Sequence, residues 1–360
     1  MKILFVVTGV GLGDSVRVET IIKKFKKINP KIKVLVAGYA NSYHYFKDKY
    51  PTINIAGYIM PGKSMKFKFM PFILRNFLLP IYWMFFALRL KQAVKKFKPD
   101  IVVSDFEPTG AMLAKLVNKK CVMMFGFDPV LYKEYEKKNK VSTVMKLQAK
   151  YLEKNYSLGD YTIIPTILGK KRHSMVYNYV NPIVREEKLK SDKVLMKELK
   201  LKKKPIVVMV GGSNYGLRLL KKLRNVARYF PDEEFIAFGT KKKIGNMENF
   251  VHYNYKSDVM KYMKVAKAVV TLAGEITLTE ALALKKPMLI YPINNHVEQV
   301  LNAYSLRNVA LTRSNVNSLK KDVEELLKNV DKLSRKIQVL KIKTNGSEEV
   351  VTLLQMFAQA

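Results

Sequence analysis

Cysteine is nearly missing from this 360-residue chain: Cys121 stands alone. A single thiol excludes a disulfide framework and a cysteine-rich metal site. Its place in the apolar run Cys-Val-Met-Met-Phe marks a buried strand residue, compatible with a reducing, cytosolic setting. Histidine is scarce too. His44, His173, His252 and His296 are scattered and read as solvated or structural residues, and no acidic cluster makes up for them, so no metal site is expected. Acids are outnumbered: 65 Lys+Arg face 29 Asp+Glu, a formal net charge of +36. Part of that excess is a solvated surface spread over nearly every helix. The rest sets up a field that attracts anionic lipid headgroups, phosphate-rich substrates or nucleic acid. No helix-turn-helix, zinc or RNA-recognition signature accompanies it, so no specific nucleic-acid partner is expected.

Long hydrophobic runs are also lacking. The opening MKILFVVTGVGLGD meets glycines and an acid without a small-residue cleavage site, and reads as a first strand rather than a signal peptide. Residues 67–90 are apolar and aromatic but interrupted by Pro71, Arg75 and Pro80. Their longest charge-free run, 76–88, falls short of the ~20 residues a spanning helix needs. With Lys63, Lys66, Lys68, Arg89 and Lys91 around it, the segment fits a stretch lying on an anionic membrane and a buried helix equally well.

What is present is a twice-told alternation of short β-branched runs and longer amphipathic ones. At about 150 residues per domain, the length suggests two domains. Strands are expected at 3–8, 33–37, 101–104, 121–125 and 161–164, with helices at 16–28, 82–97 and 108–117 between them. The second half repeats the scheme with strands at 206–210, 234–238, 268–272 and 288–291 and helices at 215–229 and 257–265. Continuous apolar strands separated by helices predict parallel sheets covered on both faces. Each half opens on a strand, a glycine-rich turn and a helix: FVVTGVGLGD near the start and IVVMVGGSNYG at 206–216. Two doubly wound domains follow, 1–183 and 184–345, with a C-terminal helix at 346–360 that could pack back on the first.

Gly9, Gly11 and Gly13 would let backbone approach a ligand at a helix start, or simply make a tight turn. The spacing is not G-x-G-x-x-G, and the second strand ends without an acid, which argues against a nicotinamide cofactor; no Gly-Lys-Ser/Thr follows, which argues against a P-loop. Asp14 is a candidate base or a helix cap, and Arg17 a phosphate ligand, a support for Asp14 or a solvated cation. Asp105 and Glu107, in Ser104-Asp105-Phe106-Glu107-Pro108, lie at the carboxyl end of a strand where open α/β sheets place ligands, or they cap the helix at Pro108. In the second half, Gly274 gives a turn, Thr277 and Glu280 have capping-box spacing, and Glu298-Gln299 opens another helix. Free amides at 274–277 would meet a diphosphate, and Glu280 could accept from ribose hydroxyls.

Taken together, Gly9-x-Gly11-x-Gly13, Gly211-Gly212-Ser213, Gly274-Glu275-x-Thr277-x-x-Glu280, Pro292 and Glu298-Gln299-x-x-Asn302-Ala303 resemble the GT-B glycosyltransferases of the MurG-like, family 28-type group. The start and the 104–108 stretch also resemble archaeal glycosyltransferase-like proteins. The resemblance implies two Rossmann-like domains facing across a cleft. It implies an inverting transfer of a hexose or N-acetylhexosamine from a nucleoside diphosphate sugar, usually UDP-linked, to a lipid-linked or other glycan acceptor. The nucleotide sugar would be a co-substrate, with no cofactor, and the enzyme would sit on the inner face of the cell membrane. Gly274, Glu275 and Thr277 would lie at the diphosphate with Ser213 nearby, Glu280 at the ribose, and Glu298 and Gln299 at the sugar hydroxyls. The base would be Asp14 or Glu107; the family carries His where this chain has Asp14. On the acceptor and phosphate side stand Gly11, Gly13, Arg17 and Asp105. A UDP-sugar 2-epimerase, a polyanion-binding protein and a non-catalytic sugar-nucleotide-binding subunit are the alternatives.

Overall fold

The computed structural model describes residues 1–60, 65–169, 172, 174–240 and 242–359. Lys63 and His173 lie outside them. The chain forms two compact units. The first holds residues up to 60, 68–185 and 343–359, and the second 65–67 and 186–342.

In chain order the first unit runs β1 (Lys2–Val7), α1 (Gly13–Ile28), β2 (Lys33–Gly38), α2 (Ala40–Phe46), β3 (Thr52–Asn54), α3 (Phe69–Asn76), α4 (Leu79–Phe97), β4 (Ile101–Asp105), α5 (Pro108–Leu116), β5 (Cys121–Met124), α6 (Pro129–Lys138), α7 (Thr143–Tyr156), β6 (Tyr161–Pro165) and β7 (Asn178–Val180). The second runs α8 (Asp192–Glu198), β8 (Ile206–Met209), a 3-10 turn (Asn214–Gly216), α9 (Leu217–Ala227), β9 (Phe235–Phe238), β10 (Phe250–Tyr253), α10 (Val259–Val265), β11 (Ala268–Thr271), α11 (Glu275–Ala283), β12 (Met288–Ile290), α12 (Val297–Ser305), β13 (Leu311–Thr312), α13 (Leu319–Lys328) and α14 (Val330–Gln338). The chain then returns to the first unit as α15 (Gly346–Gln359).

Among the described residues the sheets have seven strands, in the order β3-β2-β1-β4-β5-β6-β7, and six, in the order β10-β9-β8-β11-β12-β13. Every pairing is parallel. The central strands are buried on both faces, as their unbroken apolar runs require: Ile3 to Val7 of β1 have no exposed surface. In each sheet the chain winds outward and then jumps back, so the order reverses between β1 and β4 and again between β8 and β11. Open α/β sheets bind ligands in the crevice beside such a reversal.

The sequence patterns miss the edge strands β3, β7, β10 and β13, whose short segments carry little apolar signal. The stretch from Ser318 is three helices, α13, α14 and α15. Its last helix, α15, inserts Val350, Val351 and Leu354 into the core of the first unit, and Phe357 stacks on Tyr161 at 3.9 Å.

The 67–90 segment divides its character between two faces. Leu79, Trp83, Ala87, Leu90 and Val94 form a buried stripe at helical spacing on α4. Ile81, Tyr82, Met84, Phe85 and Leu88 on α4 are exposed, as are Met70, Ile73 and Leu74 on α3. No single helix among the described residues is long and apolar enough to cross a membrane; α3 and α4 pass that test only as a pair, bent by 41°.

Candidate active site

The reversal in the first unit gathers the carboxylates. β1 and β4 run side by side, with Val7 opposite Asp105, and the Thr8 amide donates to the Asp105 carbonyl at 3.1 Å. The chain then turns tightly through Gly9, where a Cβ would come within 1.8 Å of the Tyr39 carbonyl oxygen. Gly11 and Gly13 are half-buried, and α1 starts at Gly13 without a side-chain cap.

Asp14 stands in the first turn of α1 and Arg17 one turn on. Arg17 Nη2 donates to Asp14 Oδ1 at 2.6 Å and to Asp105 Oδ1 at 2.6 Å, while Nε donates to Asp105 Oδ2 at 3.0 Å. The side chains of Arg17 and Asp105 are 3% and 0% exposed and that of Asp14 is 27% exposed. A forked guanidinium is the cation suited to hold a desolvated carboxylate through two parallel bonds. One positive charge thus serves two acids, and Asp14 alone of the three keeps a face toward solvent.

Phe106 sits between the acids at φ 57°, a left-handed conformation that is strained for an aromatic residue. Glu107 occupies the cap position of α5, but its side chain does not cap; Asp14 lies inside the first turn of α1, past the cap residue Leu12, and Asp105 lies two residues ahead of the α5 cap. Glu107 is fully buried. Its Oε1 accepts from Thr109 Oγ1 at 3.3 Å, and Oε2 has no hydrogen-bond partner. Burial pushes its carboxyl up to about 8, against the opposing pull of Thr109, Trp83 and Tyr39; Trp83 Nε1 and Tyr39 are near enough to favour the anion, yet neither completes a bond to Oε2. Folding therefore takes up a proton here. Glu107 favours the folded state most at low pH and erodes it as pH rises from the ordinary carboxylate range toward 8.

The second unit puts its glycines at the other reversal. Gly211 at the end of β8 has φ 70°, and Gly239 packs against it so closely that a Cβ there would lie 2.3 Å from the Gly211 oxygen. A Cβ built on Gly211 or on Gly274 would meet nothing within 4 Å, so open space lies before both turns. Ser213, half-buried, leads into the 3-10 turn. Helix α11 starts at Glu275 with Gly274 as its cap residue and no side-chain cap; the helix begins two residues before the expected capping box, which does not form. Thr277 is half-buried in the first turn, while Glu275 and Glu280 are 4% and 1% exposed.

Helix α12 closes this corner. Asn302 Nδ2 donates to the Ala273 carbonyl at 3.0 Å, and Gln299 Oε1 accepts from the Ile293 amide at 3.0 Å, which leaves its NH2 for other work. Glu298 is half-buried in the first turn. Residues 65–67 lie along the loop ahead of α12: Phe67 N donates to the Asn294 carbonyl at 2.7 Å and Asn294 N to that of Met65 at 2.9 Å.

Two histidines have structural surroundings. His252 Nδ1 accepts from the Ile244 amide at 3.1 Å, with Nε2 2.9 Å from the Gly239 carbonyl. Desolvation of its ring takes His296 down to about 4, although the residue as a whole keeps some exposed surface. Among the described residues no group of three or more His, Cys, Asp or Glu is placed to share a metal ion. Sequence spacing missed two features: the Arg17–Asp105 pair, separated by 88 positions, and the enclosure of Glu107 by Trp83 and Tyr39.

A family described as glycosyl transferase family 1 matches residues 1–331. An uncharacterized glycosyltransferase of Methanosarcina acetivorans is 25% identical over 324 residues, covering 84% of this chain and 82% of its own. The UDP-N-acetylglucosamine--N-acetylmuramyl-(pentapeptide) pyrophosphoryl-undecaprenol N-acetylglucosamine transferase of Clostridium tetani is 28% identical over 265 residues, 69% of this chain and 67% of its own. Among solved structures, the glycosyltransferase VinC in complex with dTDP superimposes with a TM-score of 0.61 at 16% identity over 100% of both chains. MurG of Acinetobacter baumannii does so with a TM-score of 0.60 at 15% identity over 99% of both. The family match establishes the family and not a MurG-like group, and the solved structures establish the fold. Two parallel α/β units, each with a glycine turn at its sheet reversal, and a family match over most of the chain make this protein a glycosyltransferase of the GT-B fold, a member of glycosyl transferase family 1.

Proposed function

We propose that this glycosyltransferase moves a hexose or N-acetylhexosamine, with inversion, from a UDP-linked donor to a lipid-linked acceptor at an anionic membrane surface. The observation that carries the donor reading is the start of α11. It has no side-chain cap, open space before Gly274, and a buried carboxylate, Glu280, one turn in. Helix-start amides and the helix dipole suit a diphosphate. In this reading Gly274, Glu275 and Thr277 surround the diphosphate with Ser213 beside it, Glu280 accepts from the ribose, and Glu298 with the Gln299 NH2 reads sugar hydroxyls.

Asp14 takes the base role. It is the partly exposed carboxylate, oriented through Oδ1 by Arg17, whereas Glu107 is enclosed and mostly protonated at neutral pH. Asp14 removes the acceptor hydroxyl proton, the oxygen bonds to the anomeric carbon, and the bond from that carbon to the diphosphate breaks with its electron pair leaving on phosphate. The α11 amides stabilise that departing charge. A Cβ at Gly11 would meet only the Gly13 amide nitrogen at 3.9 Å, which leaves room there for the acceptor.

Thermal shift tests the donor assignment. A ligand at about 100 times its dissociation constant adds about 2.7 kcal/mol, or about 5–11 °C for units of this size. UDP-N-acetylglucosamine or UDP-glucose should give that rise and dTDP-sugars less. A melting point unmoved by any nucleotide sugar would overturn the reading.

The membrane reading rests on charge as well as exposure. No residue from 49 to 99 is acidic. The bare apolar face of α3 and α4 therefore lies among Lys68, Arg75, Arg89, Lys95 and Lys96, all exposed, with no negative charge from its own segment. Such a face suits an anionic bilayer. Replacing Ile81 and Phe85 together by Glu should lower co-sedimentation with phosphatidylglycerol vesicles at least about tenfold, since even half-burial of each side chain in lipid is worth about 1 kcal/mol. Equal sedimentation of variant and wild type would remove the membrane from the proposal.

A further inference from the structure

Trp83 is the sole tryptophan of the sequence and lies on the inner stripe of α4. Its Nε1 is buried without a hydrogen bond, and so is Glu107 Oε2. An indole N–H can only donate and a carboxylate oxygen accepts, so the two orphans are chemically complementary. Trp83 lies in an aromatic cluster that includes Phe106, the residue before Glu107. Tyr58 meets Trp83 edge-on at 5.3 Å, Phe106 at 5.4 Å and, stacked, Phe72 of α3 at 6.0 Å. Native interiors rarely leave such a complementary pair unmade. Here one partner is carried by a helix whose opposite face is bare.

We propose that Trp83 is a positioning residue for Glu107, and that seating the outer face of α4 on an anionic bilayer closes the indole N–H onto Oε2. The proposal rests on the membrane reading above and extends it: the helix that docks also carries the indole that acts on Glu107, the cap residue of α5. Glu107 adjoins the catalytic corner through its own backbone. Its carbonyl accepts from Ser104 Oγ, and Asp105, two residues earlier, is gripped by Arg17 together with Asp14. A closed bond stabilises the Glu107 anion. The titratable groups that face Glu107 are the phenols of Tyr39, Tyr58 and Tyr151, all pushed upward by burial and so neutral near pH 8. Thr109, from α5, supplies the remaining polar contact.

The single tryptophan makes the test spectroscopic, on the full chain. In buffer its emission should titrate with a midpoint near pH 8. Glu107→Gln should abolish that titration and Glu107→Asp should displace it, so one informative variant remains if the other misfolds. Phosphatidylglycerol vesicles should move the wild-type midpoint down by a unit or more, and phosphatidylcholine vesicles should leave it in place. Trp83→Phe should remove the vesicle-induced change in the pH profile of kcat/KM. Emission that does not titrate with Glu107 overturns the pairing. A midpoint that stays put while the protein sediments with anionic vesicles overturns the lever but spares the docking. Failure to sediment overturns both, and the buffer titration still decides whether the pair exists.

Discussion

Arg17→Ala is expected to lower the stability of the first unit by about 3–5 kcal/mol, because it takes the balancing positive charge away from a buried carboxylate. For a unit of this size that is a melting point about 6–20 °C lower. The cost centres on Asp105, whose side chain has no exposed surface and whose two oxygens both lean on the guanidinium. Asp14 contributes little to it, being partly in water. Calorimetry on Arg17→Ala, Asp105→Asn and the double variant separates the terms. The double variant should recover most of the loss, since no lone charge remains, and the two changes should be strongly non-additive. Arg17→Lys should fall between, keeping the charge and losing the fork. In initial-rate assays on folded protein, Arg17→Ala should also lower kcat at least about 100-fold, because Asp14, the proposed base, would lose its orientation. A single variant as stable and active as wild type would show that the buried pair neither holds the corner nor orients Asp14.

That pair also marks where sequence reading stopped. The strands were legible because each central one is a run of apolar residues with a breaker at its end. β3 and β13, reading Thr-Ile-Asn and Leu-Thr, carry no such run; they are strands because a neighbour's edge was open to them. Arg17 and Asp105 sit in unremarkable local contexts, and what joins them is the order of the sheet, which sets β4 against β1. A Rossmann-like order for the first half would have placed an arginine one turn into the first helix beside an acid at the end of the fourth strand. The capping-box spacing at Thr277 and Glu280 misled for a different reason. The pattern identifies a helix start from side chains that bond the backbone, and here the cap is a bare glycine while Glu280 lies inside. The apolar 67–90 stretch had two readings, buried or interfacial; the structure buries one face of α4 and leaves the other exposed. In its first three turns α4 is apolar on both faces, so hydrophobicity could not say which one the fold would cover.

The glycine cap gives the proposed donor site its sharpest test. If Glu280 accepts from two ribose hydroxyls, Glu280→Ala should weaken UDP-sugar binding by about 3–6 kcal/mol, at about 1.5–3 kcal/mol for each hydrogen bond to a charged group. By calorimetry that is a dissociation constant about 10²–10⁴-fold higher, which for a micromolar donor amounts to lost binding. Glu280→Gln keeps the volume and one good acceptor, so it should lose less. Because Glu280 is 1% exposed, the alanine variant also has to be shown folded, by its circular dichroism and melting point. Inorganic pyrophosphate supplies the internal control. Its contacts would be with the amides at the start of α11 and not with the carboxylate, so its affinity should be the same for wild type and variant, or slightly higher once a nearby negative charge is gone. The pattern expected is loss for the nucleoside diphosphate sugar and none for the diphosphate. Equal loss for both would mean that Glu280 holds the helix start in shape rather than the ribose. An unchanged UDP-sugar affinity in a folded Glu280→Ala protein would take the ribose away from this helix altogether.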